Sequence, residues 1–335
     1  MNFPQNAYLA AMGSAWLVVA LSLPLWRQWC LRTGLVDEPG QRKIHEQPIA
    51  LAGGLAVMTG LLVPILAASA LLWWQRANPP AHPPHSALNP RAAFLLFHGL
   101  SRRGPELGGI LLGAVGMLLV GWLDDKRELR PGPKFAGQFL IALLVAASGA
   151  RITLFVHNTL FHYAITILWI LTLVNAFNFM DNMNGLCAGL GAIGSLYFGA
   201  IAAVEGQYLV ALIAFLTFGA LLGFLPYNFP RARAFLGDAG SHLVGYLLAV
   251  LAILPHFYSP KHPRPFAVLI PLVVLGIPLA DLVSVVLIRW RAGKPFYLGD
   301  TNHLSHRLVR LGLSQTRAVL LIWLMAALIG GLVLL

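Results

Sequence analysis

Long apolar segments restrict the fold of this chain more than any other feature. A helix needs about 20 mostly apolar residues to cross the hydrocarbon core of a bilayer, and segments of about this length recur along the chain. Charged residues make up 10% of the sequence, against about 25% in soluble proteins. The chain is therefore predicted to be an all-α, polytopic membrane protein. Ten spans are expected, at residues 6–26, 51–73, 107–123, 135–150, 159–177, 185–204, 207–225, 241–257, 266–288 and 317–335.

The remaining segments predict one membrane domain, residues 1–335, with an extracytoplasmic insert. Residues 79–105 are rich in Pro and His and are interpreted as a loop with a short amphipathic element, although an eleventh span is possible there. Two cysteines are too few for a disulfide framework, so Cys30 and Cys187 are predicted to be buried thiols.

The charge distribution predicts the orientation in the membrane. The net charge of +11 comes from short basic clusters between apolar segments, which is typical of membrane loops rather than of a nucleic-acid surface. Sixteen of the 23 Lys and Arg residues lie in the loops after spans 1, 3, 5, 7 and 9 or in the turns that flank these loops, which predicts that this side is cytoplasmic. Nine of the 12 acidic residues share this side. Carboxylates contribute little to topology, so their concentration indicates a shared site there.

The stretch "WLDDKRELRPGPKF" places two carboxylates, Asp124 and Asp125, where a helix leaves the membrane. Adjacent carboxylates repel each other unless a cation lies nearby, so the pair suits metal binding or a general base. Lys134 follows and suits a phosphate. The alternative is a solvated end of a membrane helix.

The stretch "RAFLGDAGSH" places Asp238 between Gly237 and Gly240. Glycines permit close backbone approach to a ligand. A helix is expected to begin at Ser241, and its free N–H groups could bind a phosphate. The alternative is a turn with a helix cap.

The stretch "NAFNFMDNMNGL" joins two apolar segments and is rich in Asn. Asn178, Asp181 and Asn184 have the spacing i, i+3, i+6, which predicts one face of a helical end. The alternative is a pair of helix caps at a tight helical hairpin.

Two further loops carry basic residues. His303 and His306, at i and i+3, share a face if helical, and Arg307 follows. A zinc protease motif would need a Glu that is absent here, whereas Arg binds phosphate through two bonds. The loop after the first span holds Lys43 and His45, either as a phosphate-binding patch or as an ordinary cytoplasmic loop.

Asp281 lies within a predicted span, seven residues before Ile288 and thus roughly 10 Å inside at 1.5 Å per residue. An ionisable residue at this depth is a functional hypothesis; the alternative is a structural pair with a neighbouring helix. Together, these motifs supply oxygen ligands that suit Mg²⁺ and cations that suit a diphosphate. They predict phosphoryl transfer at the membrane surface.

The motifs "RKIHEQPIALAGG", "DDKRELRPGPK", "NAFNFMDNMNGL", "FLGDAGS", "PLAD" and "HLSHRL" occur in this order between about Asp37 and Leu320. On them the chain resembles the polyprenyl-phosphate N-acetylhexosamine-1-phosphate transferases, and within these the undecaprenyl-phosphate GlcNAc-1-phosphate branch. The resemblance implies ten or eleven spans, a cytoplasmic site, Mg²⁺ (or Mn²⁺), and transfer of HexNAc-1-phosphate from a UDP-HexNAc to undecaprenyl phosphate with release of UMP. It implies residence in the inner membrane and leaves a homodimer open.

The resemblance also implies residue roles. Asp238 is implied as the main metal ligand with Asn178 as its partner, Asp124 or Asp125 as the group that positions or deprotonates the lipid phosphate, and Lys134 as a phosphate contact. The residues implied for substrate binding are His303, His306 and Arg307 at the diphosphate or sugar, Asp181 and Asn184 at the nucleoside, and Lys43 and His45 at the nucleotide end.

The chain departs from the pattern of many bacterial members at four positions. Asn182 replaces a Gly, Asn184 an Asp and Ser305 a His, and Asn302 stands where a basic residue is common. GlcNAc is the default donor sugar, with GalNAc, FucNAc and QuiNAc open. The alternatives in function are a phospho-N-acetylmuramoyl-pentapeptide transferase-type reaction, a secondary transporter with polar residues near the bilayer midplane, and a non-catalytic scaffold.

Overall fold

The structure, a computed structural model, describes residues 3–39, 47–78, 98–154, 156–255, 265–295, 297 and 299–334. It is mostly helical, as predicted. The helices are α1 (Gln5–Thr33), α2 (Gly53–Ala77), α3 (Gly104–Arg127), α4 (Pro131–Ser148), α5 (Thr159–Met180), α6 (Leu186–Val204), α7 (Tyr208–Asn228), α8 (Gly237–Leu251), α9 (Ile270–Val274), α10 (Gly276–Arg291), α11 (Leu304–Arg310) and α12 (Gln315–Gly331). Short 3₁₀ turns occupy Pro265–Leu269 and Leu332–Leu334.

Seven of the described helices are long and apolar enough to cross a membrane: α1, α2, α3, α5, α6, α7 and α12. The bent pair α9–α10 brings the number to eight if it counts as one span. The helices at the predicted spans 135–150 and 241–257, α4 and α8, are too polar or too short to be counted as spans. The first turn of α4 contains Lys134, and α8 has 15 residues, or only about 22 Å at 1.5 Å per residue.

Helix α8 is the centre of the bundle. Every residue of α8 except Asp238 is buried, and the helix packs against α2, α3, α5, α6 and α7. Glycines allow this close packing, because a Cβ on Gly121 of α3 would lie 2.3 Å from the Asp238 carbonyl oxygen. A helix surrounded by protein does not need the length of a lipid-facing span. Cys30 and Cys187 are also buried and free, as predicted.

The span expected at 266–288 is not continuous. The segment Ala267–Val274 and helix α10 meet at a bend of 67°. Two prolines contribute to this break. Pro271 lies in the first turn of α9 and Pro278 in the first turn of α10. Proline has no N–H, so it fits the first turn of a helix, where none is needed, better than the interior of one continuous helix. As a result, α10 starts a separate segment that carries Asp281 toward the end of the bundle.

A small β-structure follows α1 and was not predicted. Strand β1 (Val36–Asp37) pairs antiparallel with β2 (Ile49–Ala50), and Ala50 forms a parallel bridge with Ala234 just before α8. The end of β2 therefore lies beside the segment that leads into Asp238. Lys43 and His45, two of the predicted substrate-binding residues, lie outside the described residues.

Candidate active site

Four helix ends meet at one end of the bundle and bring five polar residues together. These residues, here called the acidic cluster, are Asp124 and Asp125 at the end of α3, Lys134 at the start of α4, Asn178 at the end of α5 and Asp238 at the start of α8. All five were singled out in the sequence. Asp124 and Asp238 are 114 positions apart. The packing of α3 and α5 against α8, and of α4 against α3 and α5, makes the five residues neighbours.

Lys134 is the bridge of the acidic cluster. Its Nζ lies 2.6 Å from Asp124 Oδ2 and 3.4 Å from Asp238 Oδ2, and it also donates to Asn178 Oδ1 at 3.5 Å. Asn178 in turn donates through Nδ2 to Asp238 Oδ1 and to Ser241 Oγ. One ammonium thus neutralises two carboxylates that would otherwise repel each other.

Asp125 has a different task from its neighbour. Its two carboxylate oxygens accept hydrogen bonds from the backbone N–H groups of Asp238 (2.7 Å) and Ala239 (3.0 Å). The helix begins at Gly237, with φ of 71°, rather than at Ser241. The expectation of a phosphate on free N–H groups at Ser241 is therefore wrong, because the start of α8 lies a turn earlier and Asp125 caps it.

A second polar layer lies one helical turn deeper than the acidic cluster. Gln138 follows Lys134 by four residues, His242 follows Asp238 by four, and Asn175 precedes Asn178 by three. Asn175 Nδ2 donates to Gln138 Oε1 at 2.8 Å, and Gln138 Nε2 lies 3.4 Å from His242 Nε2. This layer was not predicted from the sequence. Its signal was the i, i+4 spacing, which places Gln138 on the helix face of Lys134 and His242 on that of Asp238.

Three of these side chains have the arrangement of a cation site. One ligand atom each from Asp124, Asp238 and His242 lies within 4.8 Å of the others. The donors are two carboxylates and an imidazole, and the Nδ1 atom of His242 is buried with no hydrogen-bond partner among the described residues. The amide nitrogen of Asn178 faces Asp238 and its oxygen faces Lys134, so a role as metal ligand requires the opposite amide orientation. The donor set fits a divalent cation.

The loop between α5 and α6 differs from the expected helical face. Helix α5 ends at Met180, so Asn178 and Asp181 lie at its end, while Asn184 lies beyond it and donates to the Pro230 carbonyl at 3.2 Å. Burial raises the pKa of the Asp181 carboxyl well above its usual range, and the nearby negative charges of Asp238 and Asp125 add to this. Asp181 therefore lies near enough to the acidic cluster for its charges to act on the carboxyl, whereas the hydrogen bond of Asn184 joins it to Pro230.

Asn228, which the sequence analysis did not identify, fixes this loop. The side chain is buried, and its Oδ1 accepts from the Gly185 N–H at 2.6 Å while its Nδ2 donates to the Ala234 carbonyl at 3.0 Å. A single amide therefore joins the loop after α5 to the segment that leads into α8.

A second group of polar residues, here called the His–Arg cluster, comprises Asp281, His303, His306 and Arg307. His303 Nδ1 lies 2.7 Å from Asp281 Oδ2, and Asp281 Oδ1 accepts from the backbone N–H of Leu304. His303 precedes α11 and His306 lies inside it, with 6.2 Å between their ring centroids. Asp281 therefore pairs with the residue that precedes a neighbouring helix, a contact consistent with both the structural alternative and the functional hypothesis.

The remaining residues of the His–Arg cluster sit on α11. Arg307 donates through Nη2 to Ser284 Oγ at 3.0 Å, and its Nε is buried without a hydrogen-bond partner in the described part of the chain. Burial and the neighbouring His303 lower the pKa of His306, which favours a neutral ring. Arg307 thus has donor capacity left for an anion.

The end of α5 connects the two clusters. Ser305 Oγ donates to Asn182 Oδ1 at 2.7 Å, and Asn182 Nδ2 donates to the Phe179 carbonyl. The Phe179 ring contacts both His303 and the guanidinium of Arg289. The two positions at which the chain departs from the expected Gly and His are therefore direct partners.

The fold and the site together define a multi-pass helical membrane protein with a polar site at the joined ends of its helices. Residues 107–256 match the pattern of glycosyl transferase family 4. The chain belongs to glycosyl transferase family 4, because it also aligns over most of its length with curated relatives. It is a transferase.

Three relatives show the extent of this similarity. The chain is 31% identical to the decaprenyl-phosphate N-acetylglucosaminephosphotransferase of Mycobacterium tuberculosis, over 91% of this chain and 76% of the relative. It is 29% identical to a probable undecaprenyl-phosphate N-acetylglucosaminyl 1-phosphate transferase of Bacillus subtilis, over 92% and 79%. The Escherichia coli undecaprenyl-phosphate alpha-N-acetylglucosaminyl 1-phosphate transferase is 26% identical, over 95% and 81%.

Proposed function

We propose that the chain transfers HexNAc-1-phosphate, by default GlcNAc-1-phosphate, from a UDP-sugar to undecaprenyl phosphate. The product would be a lipid-linked diphospho-sugar that initiates a cell-surface glycan. The observation that carries this proposal is Lys134 held between Asp124 and Asp238, where a cation and two carboxylates meet at the end of a membrane bundle. The names of the three relatives support the donor and the acceptor.

The reaction joins an oxygen of the lipid phosphate to the sugar-linked phosphorus and breaks the bond between that phosphorus and the bridging oxygen. UMP leaves with the electron pair of the broken bond. Asp124 is the carboxylate that positions the lipid phosphate and accepts its proton, because Asp125 is engaged by two backbone N–H groups. Lys134 contacts the phosphate, and positioning with electrostatic stabilisation supplies most of the catalysis.

Asp238 would be the main ligand of a divalent cation, Mg²⁺ or Mn²⁺, with Asn178 beside it and Asp124 within the same group of ligand atoms. The bound cation would neutralise negative charge on the diphosphate and on UMP. Mg²⁺ typically takes one or two carboxylates together with substrate phosphates, which matches this number of acidic ligands.

The donor lies between the acidic cluster and the His–Arg cluster. Arg307 binds the diphosphate through its remaining donors, and His303 and His306 contact the diphosphate or the sugar. Asp181 faces the nucleoside from the end of α5. The remaining proposed donor contacts are Asn184 at the nucleoside and Lys43 and His45 at the nucleotide end.

The membrane arrangement follows from the same proposal. Helices α4 and α8 lie within the bilayer beside the eight spans that result when the bent pair α9–α10 is one span, which gives ten. The clusters face the cytoplasm from the inner membrane, because most basic residues lie on their side. Single cysteines introduced at Arg130 and at Arg151 test this, since Arg130 precedes α4 and Arg151 follows it. Labelling of the Arg130 position from outside intact cells would contradict the orientation.

One assay tests the activity. Purified protein is incubated with Mg²⁺, undecaprenyl phosphate and a panel of UDP-HexNAc donors that includes UDP-MurNAc-pentapeptide, and UMP release is measured. UMP release with UDP-GlcNAc is expected. Release only with UDP-MurNAc-pentapeptide would establish the alternative reaction, and no UMP with any donor would refute the transferase proposal. Omission of undecaprenyl phosphate is the control for simple hydrolysis.

A further inference from the structure

The polar residues of the site form two layers, and the deeper one has no role in the proposed reaction. Asp238 and His242 lie on one face of α8 and are four residues apart, as are Lys134 and Gln138 on α4. Residues four apart on a helix are neighbours. The deeper layer therefore lies directly beneath the carboxylates, and a ring nitrogen of His242 lies within 4.8 Å of carboxylate oxygens of Asp124 and Asp238.

His242 is a costly residue to bury in this position. The side chain is 0% exposed, and only one ring nitrogen has a neighbour: Nε2, which faces Gln138 at 3.4 Å. Nδ1 has no hydrogen-bond partner among the described residues. A buried polar atom left without a partner costs about 1–3 kcal/mol, and such atoms are rare enough to call for an explanation.

A bound cation gives that explanation. A ring nitrogen of His242 and carboxylate oxygens of Asp124 and Asp238 all lie within 4.8 Å of one another. Ligands about 2.1 Å from a metal ion are separated by at most about twice that distance, so only small shifts bring all three onto one ion. Metal-bound histidines also typically give their second nitrogen to a polar partner, and Gln138 occupies that place.

We propose that His242 is a nitrogen ligand of the cation in the acidic cluster and that the site consequently prefers Mn²⁺ to Mg²⁺. This rests on the proposed function, which places a divalent cation beside Asp238. Imidazole favours first-row transition metals, whereas Mg²⁺ favours oxygen ligands. When Nδ1 binds the ion, the ring carries its proton on Nε2. The Gln138 oxygen, which accepts from Asn175 Nδ2, has a second lone pair that can accept this proton once the amide reorients.

The test uses the full-length protein in detergent, stripped of metal and loaded with Mn²⁺ alone. Pulsed electron paramagnetic resonance measures nitrogen coupling to the bound Mn²⁺, and protein labelled with ¹⁵N only at histidine identifies the source. Wild type is expected to show histidine coupling that His242→Leu abolishes. His162→Gln is the matched control, because His162 lies at the start of α5 and at the far end of that helix from Asn178.

Equilibrium binding gives a second readout. His242→Leu should weaken Mn²⁺ binding by at least tenfold while Mg²⁺ binding, measured by competition, changes less. Gln138→Leu should weaken Mn²⁺ binding by about tenfold or more, the effect typical of a lost partner of a metal-bound histidine. His242→Gln, which keeps a polar side chain, provides a second variant if the leucine variant does not fold.

The outcomes separate the two proposals. Histidine coupling that persists in both His242 variants, or Mn²⁺ affinity unchanged by them, overturns the role of His242 and leaves the proposed transferase reaction intact. If the wild-type protein releases UMP in the presence of a cation but shows no histidine coupling, the role of His242 is again overturned and the transferase reaction stands. Wild type that binds no divalent cation and releases no UMP overturns both proposals.

Discussion

The acidic cluster and the His–Arg cluster lie at the same end of the bundle but are held there differently. The acidic cluster is built on α3, α4, α5 and α8: α3 and α5 pack against the buried helix α8, and α4 packs against α3 and α5. The His–Arg cluster combines Asp281 of α10 with His303 and residues of α11, a helix of seven residues that packs against α12. Side-chain contacts join α11 to the rest of the site: Asp281 with His303, Ser284 with Arg307, and Asn182 with Ser305.

This difference separates two tasks. Groups fixed by the core of the bundle keep the same geometry when a substrate changes, which suits the phosphoryl transfer itself. Groups on a short helix that is held by side-chain contacts can shift without disturbing the core, which suits recognition and binding of the donor. The comparison predicts that changes in the acidic cluster act on kcat and that changes in the His–Arg cluster act on the KM of the donor.

The largest effect is expected at Asp124. Asp124→Asn keeps the shape but removes the charge next to Lys134, and kcat should fall about 10²- to 10⁴-fold, as for loss of a general base. Asp125→Asn is the matched control: the amide can still accept one hydrogen bond, but the other backbone N–H at the start of α8 faces an NH₂ group, so Tm should fall. UMP release and thermal melting are measured for both. A wild-type kcat for Asp124→Asn would contradict the assignment.

A smaller effect is expected at Arg307. Arg307→Gln should raise the KM for the UDP-sugar by about 10- to 100-fold, because a hydrogen bond to a charged group contributes about 1.5–3 kcal/mol, while kcat changes much less. Arg307→Lys keeps the charge but loses the planar guanidinium, so its KM for the UDP-sugar should lie between those of wild type and Arg307→Gln. The KM for undecaprenyl phosphate should stay near the wild-type value in both variants. A loss confined to kcat would place Arg307 with the acidic cluster and break the comparison.

The Asn182–Ser305 contact tests whether the two clusters are coupled. Asn182→Gly and Ser305→His should each raise the donor KM by about two- to tenfold, the effect of one lost hydrogen bond. The increase in donor KM for the double variant should be smaller than the product of the two single increases, because Gly at position 182 leaves room for the larger imidazole at position 305. The difference corresponds to a coupling energy of about 1 kcal/mol between the two positions. Ser305→Ala, which removes the bond without adding bulk, is the control. Strictly multiplicative effects would show that the two positions act independently.

The apolar pattern and the order of the polar motifs predicted the helices and the members of the acidic cluster. They did so because long apolar segments and helix ends are properties of local sequence. The deeper layer was missed because Gln138 and His242 interrupt apolar segments singly. Only the pairing of helix faces in three dimensions shows that they meet. The sequence motif at Asp238 likewise does not show that Asp125 caps α8.

The break before α10 and the partnership of Asn182 with Ser305 depend on tertiary packing. Gly276 and Pro278 mark a weak point in the predicted span, but the 67° bend follows from how the two halves pack on their neighbours. The Asn182–Ser305 pair joins positions 123 residues apart. Each substitution was visible in the sequence as a departure from the family pattern, and only the fold shows that one accommodates the other.

The smallest effect is expected at Asp300. Its carboxylate pairs with Arg289, and the Phe179 ring contacts both Arg289 and His303 of the His–Arg cluster. Burial raises the pKa of Asp300, but hydrogen bonds from Arg289 and Asn302 outweigh it and lower the pKa to about 2. A lowered pKa contributes stability that is complete above the unfolded value of about 3.9 and is lost as the pH falls through about 2. Asp300→Asn should therefore lower Tm by a few degrees, as a loss of about 1 kcal/mol does, and by the same amount at every pH from 5 to 8. Asn302→Ala, which removes only one side-chain bond to Asp300, should lower Tm less. A difference that shrinks between pH 8 and pH 5 would show that Asp300 is not held by Arg289 in the folded protein.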